Sequence, residues 1–314
     1  MAGGTIGRHE GRAGPPRCPE PSTARLRSRP LRPPAGRGMT APQTTATEFV
    51  KVGRSQLRVA VSGKGRPLLL LNGVGGNLEM WAPLVPAVNA ETIAYDAPGT
   101  GHSATPWLPL PIPALARQAV RLLDTLGFTT VDVLGVSLGG VIAQHLAIRY
   151  PERVRRLVLA STTWGMPAYP GRISAWRTLL SPARYYLPGH YERRAADFLG
   201  GRIGRDPVLA HRYGETRRAH PPRPVGHLYQ LCGGATWTNL PWLHRIQAPT
   251  LVLSGDDDPL VPLPNARILA RLIPDTQLHV VRHGGHLVLL DSVDEVAPVL
   301  NEFLDGTRQR SQGA

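Results

Sequence analysis

From residue 57 onward, short apolar runs alternate with segments of helical spacing. LRVAVSG (57–63), PLLLLNG (67–73) and TIAYD (92–96) predict three strands. The second is continuously apolar, as a strand covered on both faces must be. IPALARQAVRLLDTLG (112–127) places Leu115, Ala119, Leu122, Leu123 and Leu126 on one helical face, with Gly127 as the stop. TVDVLG (130–135) predicts a strand, and GGVIAQHLAIRY (139–150) a helix ended by Pro151. Strands follow at RRLVLAS (155–161), PTLVLSG (249–255) and TQLHVV (276–281). The last helix is expected over 292–304, with a capping box from Ser292 and Glu295, or a later start forced by Pro298.

Strands alternating with helices imply βαβ units: an α/β fold with a mostly parallel, twisted sheet and helices on both faces. The rhythm breaks between residues 163 and 245, a stretch rich in Trp, Tyr, Arg, Pro and Leu and without a strong strand. The expected organisation is a core of residues 39–162 and 246–314, with 163–245 as a helical lid inserted over one sheet edge.

Charge changes the picture at the N-terminus. Residues 1–38 hold eight arginines and two glutamates, so they supply six of the fourteen net positive charges. This stretch is rich in Pro and Gly and poor in large apolar side chains, so it cannot offset its own ordering entropy. It has no apolar core of the secretory kind. It is expected to be a disordered basic tail, or to precede a true start at Met39. Two cysteines, Cys18 and Cys232, make no disulfide framework and fit a reducing, cytoplasmic compartment. No run reaches the roughly 20 apolar residues of a membrane span. Composition favours no nucleic-acid partner.

The chemistry starts at LGVSLGG (134–140), a G-x-S-x-G pattern centred on Ser137 between a predicted strand and a predicted helix. A nucleophile raised on so sharp a turn needs the missing side chains of Gly135 and Gly139. The following helix offers free N–H groups and a partial positive charge to a developing oxyanion, and Leu138, next after the serine, carries the first of them. A serine needs a base, and in this arrangement an acid and a histidine follow it in chain order. SGDDDPLVP (254–262) supplies Asp256, Asp257 and Asp258; HVVRHGGHLVLL (279–290) supplies His279, His283 and His286. Asp258 precedes proline, which biases its backbone to an extended conformation, but residue type alone leaves the choice open. His102 has no acid neighbour and is expected to be structural.

Over residues 55–304 the chain resembles the α/β-hydrolase superfamily. Besides the serine turn it shows DAPGTGHS (96–103) and YPERVRRLVL (150–159), both similar to superfamily stretches. The resemblance implies Asp258 as the acid, from the G-x-x-D pattern before Pro259, and His286 as the base, from Gly285-His286. It implies two backbone oxyanion donors, Val74 and Leu138. Asn72-Gly73 stands where many members have His-Gly. NGVGGNLEMWAPL, SPARYYLP, LYQLCGGATWTNLPWLHRI, PTLVLSGDDDPLVPL and RLIPDTQLHVV resemble the intracellular medium-chain polyhydroxyalkanoate depolymerases. That implies hydrolysis of an aliphatic polyester, or of a hydrophobic ester, at a storage-granule surface. Leu138 stands where members carry Trp.

In the insertion, Trp164, Trp176, Tyr185, Tyr186, Leu187, Tyr191, Trp237 and Trp242 are candidates for an apolar cleft, against plain packing. Arg193, Arg194, Arg217 and Arg218 are candidates for an anionic surface, against a solvated face. The alternatives kept open are a small-molecule carboxylesterase, a lactonase or carbon–carbon bond hydrolase, and a ligand-binding protein without turnover. No metal or cofactor is expected: the histidines lack ligand spacing, and no G-x-G-x-x-G follows the first strands.

Overall fold

The computed structural model describes residues 47–306, together with Met1 and Gly3. The tail expected over 1–38 therefore lies outside the described residues, those two apart, as does Cys18; Cys232 is exposed with a free thiol.

Eight strands form one sheet in the order β1-β2-β4-β3-β5-β6-β7-β8. They are β1 (Thr47–Val52), β2 (Ser55–Ser62), β3 (Arg66–Leu71), β4 (Ala90–Tyr95), β5 (Val131–Val136), β6 (Val154–Ala160), β7 (Thr250–Gly255) and β8 (Thr276–Val281). β1 and β2 are antiparallel to their neighbours, and from β4 to β8 every pairing is parallel. The expected α/β fold is present, with one addition. β1 carried no usable signal because only Val52 of its six residues is buried. It is an edge strand whose pairing, through a two-residue turn at Gly53-Arg54, outweighs its weak pattern.

The central strands explain their own composition. Leu69 and Leu71 of β3 face one apolar layer, while Leu68 and Leu70 face another, the two-residue alternation of a strand with both faces covered. The first layer is closed by α1 (Ile112–Leu126), α2 (Leu138–Arg149) and, after β7, a helix over 263–272. The second is closed by the C-terminal helix over 293–305. α1 ends as expected: Gly127 adopts φ 80° and its N–H bonds back to the helix.

Between β6 and β7 lie six helices: α3 (Ile173–Leu180), α4 (Ala183–Tyr186), α5 (His190–Phe198), α6 (Gly201–Arg205), α7 (Pro207–Ala219) and α8 (Pro224–Ala235). They have a core of their own, in which Tyr191, Phe198, Ile203 and Tyr213 pack with Met80, Leu260 and Leu287. The chain closes with α9 (Leu263–Leu272), α10 (Val288–Asp291) and α11 (Val293–Asp305). The capping box is not formed. Ser292 Oγ donates to Asp291 Oδ1 at 2.8 Å, and the Glu295 N–H bonds to the Ser292 carbonyl. Nor does Pro298 delay the start: α11 begins at Val293 and carries the proline inside it, giving up one hydrogen bond while Val296, Leu300 and Phe303 stay buried.

His227 of α8 places Nε2 3.1 Å from the Leu179 carbonyl of α3 and is 2% exposed. Burial, with help from the nearby Arg184 charge, pushes its pKa from 6.5 down to about 4. Below pH 6.5 the unfolded chain takes up a proton that the folded chain refuses, so stability falls as pH drops from about 6.5 to about 4. The urea midpoint is expected to decline across that window, and His227→Gln to flatten the decline. An unchanged slope in the variant would assign the acid sensitivity to another group.

Candidate active site

The end of β5 and the start of α2 raise Ser137 on a turn with φ 55° and ψ −120°. A non-glycine residue there is strained and must be held by its neighbours. Ser137 N–H donates to the Ala160 carbonyl at 3.0 Å, and its own carbonyl accepts from Gly140 N–H at 2.9 Å and Thr162 Oγ1 at 2.6 Å. The expected glycines are required sterically. A Cβ on Gly139 would lie 2.0 Å from the Leu71 carbonyl oxygen, and one on Gly135 would lie 2.3 Å from that of Gly139.

The three aspartates after β7 have three different tasks. Asp256 accepts from the backbone N–H of His283. Asp257 Oδ2 accepts from Gly201 N–H at 3.1 Å and Arg205 Nη1 at 2.9 Å, tying the loop to α6. Asp258 Oδ1 accepts from the N–H groups of Leu260 and Val261 at 2.9 and 2.8 Å, which leaves Oδ2 facing His286 Nδ1 at 2.8 Å. Asp258 and His286 are each 5% exposed. His286 is fixed a second time, because its N–H donates to the Leu199 carbonyl of the insertion at 2.7 Å.

The other histidines do not join them. His283, at φ 55°, is a loop residue whose carbonyl accepts from Arg205. His102 Nε2 lies 2.9 Å from His220 Nδ1, and its N–H bonds to Asp96. Asp96 also accepts from Leu78 N–H and Arg58, so the 96–103 loop clamps strand ends together.

Ser137 and His286 line one cavity of about 30 Å³, room for about two waters. They do not hydrogen-bond to each other here, a contact that commonly tightens only when substrate is present. Val74 lines the same cavity, and Leu138 follows Ser137 as the first residue of α2. Two side chains of the insertion position the Val74 loop: Gln230 Oε1 accepts from Gly75 N–H at 2.8 Å, and Tyr185 Oη donates to the Val74 carbonyl at 3.3 Å. A Cβ on Gly73 would come within 3.0 Å of Ser137 Cβ, so the loop lies directly against the serine.

The aromatic candidates of the insertion do not form the cleft. Trp164 and Trp237 pack on the sheet layer with α2, Trp242 stacks on Trp237, and Tyr191 sits in the insertion's core. Apolar side chains with no special sequence signature line the cavity instead, among them Met80, Leu179, Phe198, Leu260, Leu287 and Leu290. Arg217 is not a surface group either. It is 6% exposed and lines the cavity with Arg184. Arg218 pairs with Glu192 at 3.0 Å. Among the described residues no group of three His, Cys, Asp or Glu is placed to hold a metal ion, and no helix is long and apolar enough to cross a membrane.

Comparison with known proteins bears on the fold and the family. Residues 66–293 match the family described as alpha/beta hydrolase fold. The poly(3-hydroxyalkanoate) depolymerase of Ectopseudomonas oleovorans is 44% identical over 275 residues, 86% of this chain and 96% of that protein. A putative carbamate hydrolase of Azorhizobium caulinodans is 31% identical, over 81% of this chain and 95% of its own. The crystal structure of the enol-lactonase from Burkholderia xenovorans LB400 superposes with a TM-score of 0.71 at 24% identity, covering 82% of this chain and all of that one; this likeness concerns the fold.

A fluorophosphonate is expected to label the protein once, at Ser137, and Ser137→Ala to remove the label. Asp258→Asn should slow labelling by on the order of 10⁴-fold, whereas Asp256→Asn should leave the rate within about threefold. Intact-protein mass spectrometry reads all three rates; equal loss in the two asparagine variants would break the distinction between the aspartates.

Proposed function

The chain belongs to the alpha/beta hydrolase family, and on that premise we propose that it cleaves ester bonds of a medium-chain poly(3-hydroxyalkanoate) through an acyl-enzyme on Ser137. Ester hydrolysis is the chemistry that the name of the 44% identical relative, a poly(3-hydroxyalkanoate) depolymerase, carries. The observation that carries the mechanism is the 2.8 Å bond between Asp258 Oδ2 and His286 Nδ1 behind the strained serine. With Nδ1 occupied, Nε2 is the nitrogen free to work on the serine hydroxyl.

Ser137 Oγ attacks the ester carbonyl while His286 Nε2 takes its proton. Asp258 holds the imidazole and stabilises its charged form. The tetrahedral oxyanion is bound by the N–H groups of Val74 and Leu138, each such donor being worth about 10²–10³ in rate. Collapse breaks the bond to the alkoxy oxygen, which leaves with the proton from His286. Water then attacks the acyl-enzyme with His286 as base, returning the proton to Ser137.

Two observations support the polyester as substrate. Identity to the depolymerase extends over 275 residues, enough to include the insertion as well as the sheet. The insertion also exposes Ile173, Leu180, Leu187, Val208 and Leu228 to solvent, an apolar set suited to a hydrophobic granule. The granule surface is the proposed place of action.

Incubated with a medium-chain poly(3-hydroxyalkanoate) suspension, the enzyme should release acid and Ser137→Ala should release none. Cleavage of short soluble esters with no attack on polymer would reduce the function to that of a general esterase. Equal release by parent and variant would remove Ser137 from the mechanism.

A further inference from the structure

The cavity contains two cations that the ester chemistry above does not use. Arg184 of α4 is fully buried and Arg217 of α7 is 6% exposed, and both line the cavity with Ser137 and His286. Among the described residues neither guanidinium forms an ion pair; Glu192, on the neighbouring α5, is taken by Arg218 and His211. Arg184 Nη2 donates to Tyr185 Oη and Nη1 reaches the Thr178 carbonyl at 3.5 Å, but its Nε has no acceptor. Arg217 Nε and Nη1 have none, and neither does the phenol oxygen of Tyr191.

Ring faces hold the pair in place. The Arg184 guanidinium lies 4.6 Å from the Tyr185 centroid and 5.1 Å from that of Phe198. Arg217 lies 5.9 Å from Tyr185 and 5.7 Å from Tyr191. Stacking of this kind orients a cation and repays part of its desolvation, but it satisfies no N–H donor. Burial and the repulsion of Arg217 push the Arg184 pKa below its ordinary value. Two buried like charges with open donors around one cavity are costly by themselves. They suit a fork-shaped anion, and a carboxylate matches that geometry.

The proposed substrate contains such a group in a fixed place. In a poly(3-hydroxyalkanoate) the acyl side of every ester points toward the hydroxyl end of the chain and the alkoxy side toward the carboxyl end. The free carboxylate therefore always belongs to the leaving half. Resting on the proposed function, we infer that Arg184 and Arg217 bind the terminal carboxylate of the leaving 3-hydroxy acid, so that cleavage proceeds from the carboxyl end of the chain. The Ser137–acyl bond forms, the acyl–alkoxy bond breaks, His286 protonates the alkoxide, and the 3-hydroxy acid departs with its carboxylate unchanged. Deacylation by water frees a new carboxylate on the shortened chain, which is the next group the pair can take.

The test compares a 3-hydroxyoctanoate trimer as the free acid with the same trimer methyl-esterified at its carboxyl end, using the full chain. The parent is expected to prefer the free acid by about 10- to 100-fold in kcat/KM, the worth of a charged hydrogen bond or two. Arg217→Gln and Arg184→Gln should bring the ratio close to one, mainly through KM, and Arg217→Lys should restore part of it. The ratio is internal to each variant, so a general loss of activity or of folded protein divides out.

On the parent alone, 3-hydroxyoctanoate should inhibit competitively and its methyl ester about tenfold or more weakly, which keeps the test decisive where a variant fails to fold. A parent ratio of one, or a ratio unmoved in both glutamine variants, overturns the inference and leaves the hydrolase intact. Cleavage of a neutral nitrophenyl ester but of neither trimer overturns the inference together with the polyester substrate. Polymer with methyl-capped ends separates the two sources of the carboxylate. Slower release than from uncapped polymer assigns it to the polymer's own end; equal release with the trimer preference kept assigns it to short soluble oligomers. Both outcomes uphold the arginine pair.

Discussion

A serine at φ 55° stays there only if everything around it forbids relaxation. Ser137 is held by the Ala160 carbonyl on one side and by Gly140 and Thr162 on the other. Gly135 and Gly139 let β3, β5 and α2 approach to distances at which no side chain fits. The continuously apolar strands follow from the same constraint. A turn under strain needs a rigid frame, and β3, β5, β6 and β7 form one because layers of leucine, valine and alanine close on both of their faces.

The insertion then becomes part of the site and not a cover laid over it. Leu199 fixes the backbone of His286, Gly201 and Arg205 fix Asp257, and Gln230 and Tyr185 fix the loop of Val74. Each of these contacts joins a residue of the six-helix segment to a loop at the carboxyl end of the sheet. The acid–histidine pair and the proposed oxyanion loop are therefore sensitive to where the insertion sits.

Much of this was legible in the sequence, for identifiable reasons. The G-x-S-x-G turn reads well because its glycines are demanded by backbone geometry, and the strand before it and the helix after it are strongly patterned. Among the aspartates the letters alone could not decide, since three identical side chains differ only in where the loop aims them; Leu260 and Val261 N–H groups single out Asp258. β1 was missed because its residues face solvent and leave no periodic apolar trace. The two cavity arginines were illegible for the opposite reason: Arg217 sits in PVLAHRYGETRRA, a helix that reads as polar, and nothing local marks a buried arginine. Between cleft and packing the letters could not decide for the tryptophans, because large aromatic side chains serve a core as readily as a pocket; Trp164 and Trp237 are packing.

The cavity of about 30 Å³ has one more consequence. Leu179, Phe198 and Leu260 line it, and Ser137 itself is only partly covered. A bulky substrate must displace part of this apolar lining to bring its carbonyl to the serine. A long hydrophobic chain recovers that expense by burying its own surface, whereas a small polar ester recovers little. Selectivity of this sort lies in the energy of entry and requires no discriminating contact at the reacting carbonyl.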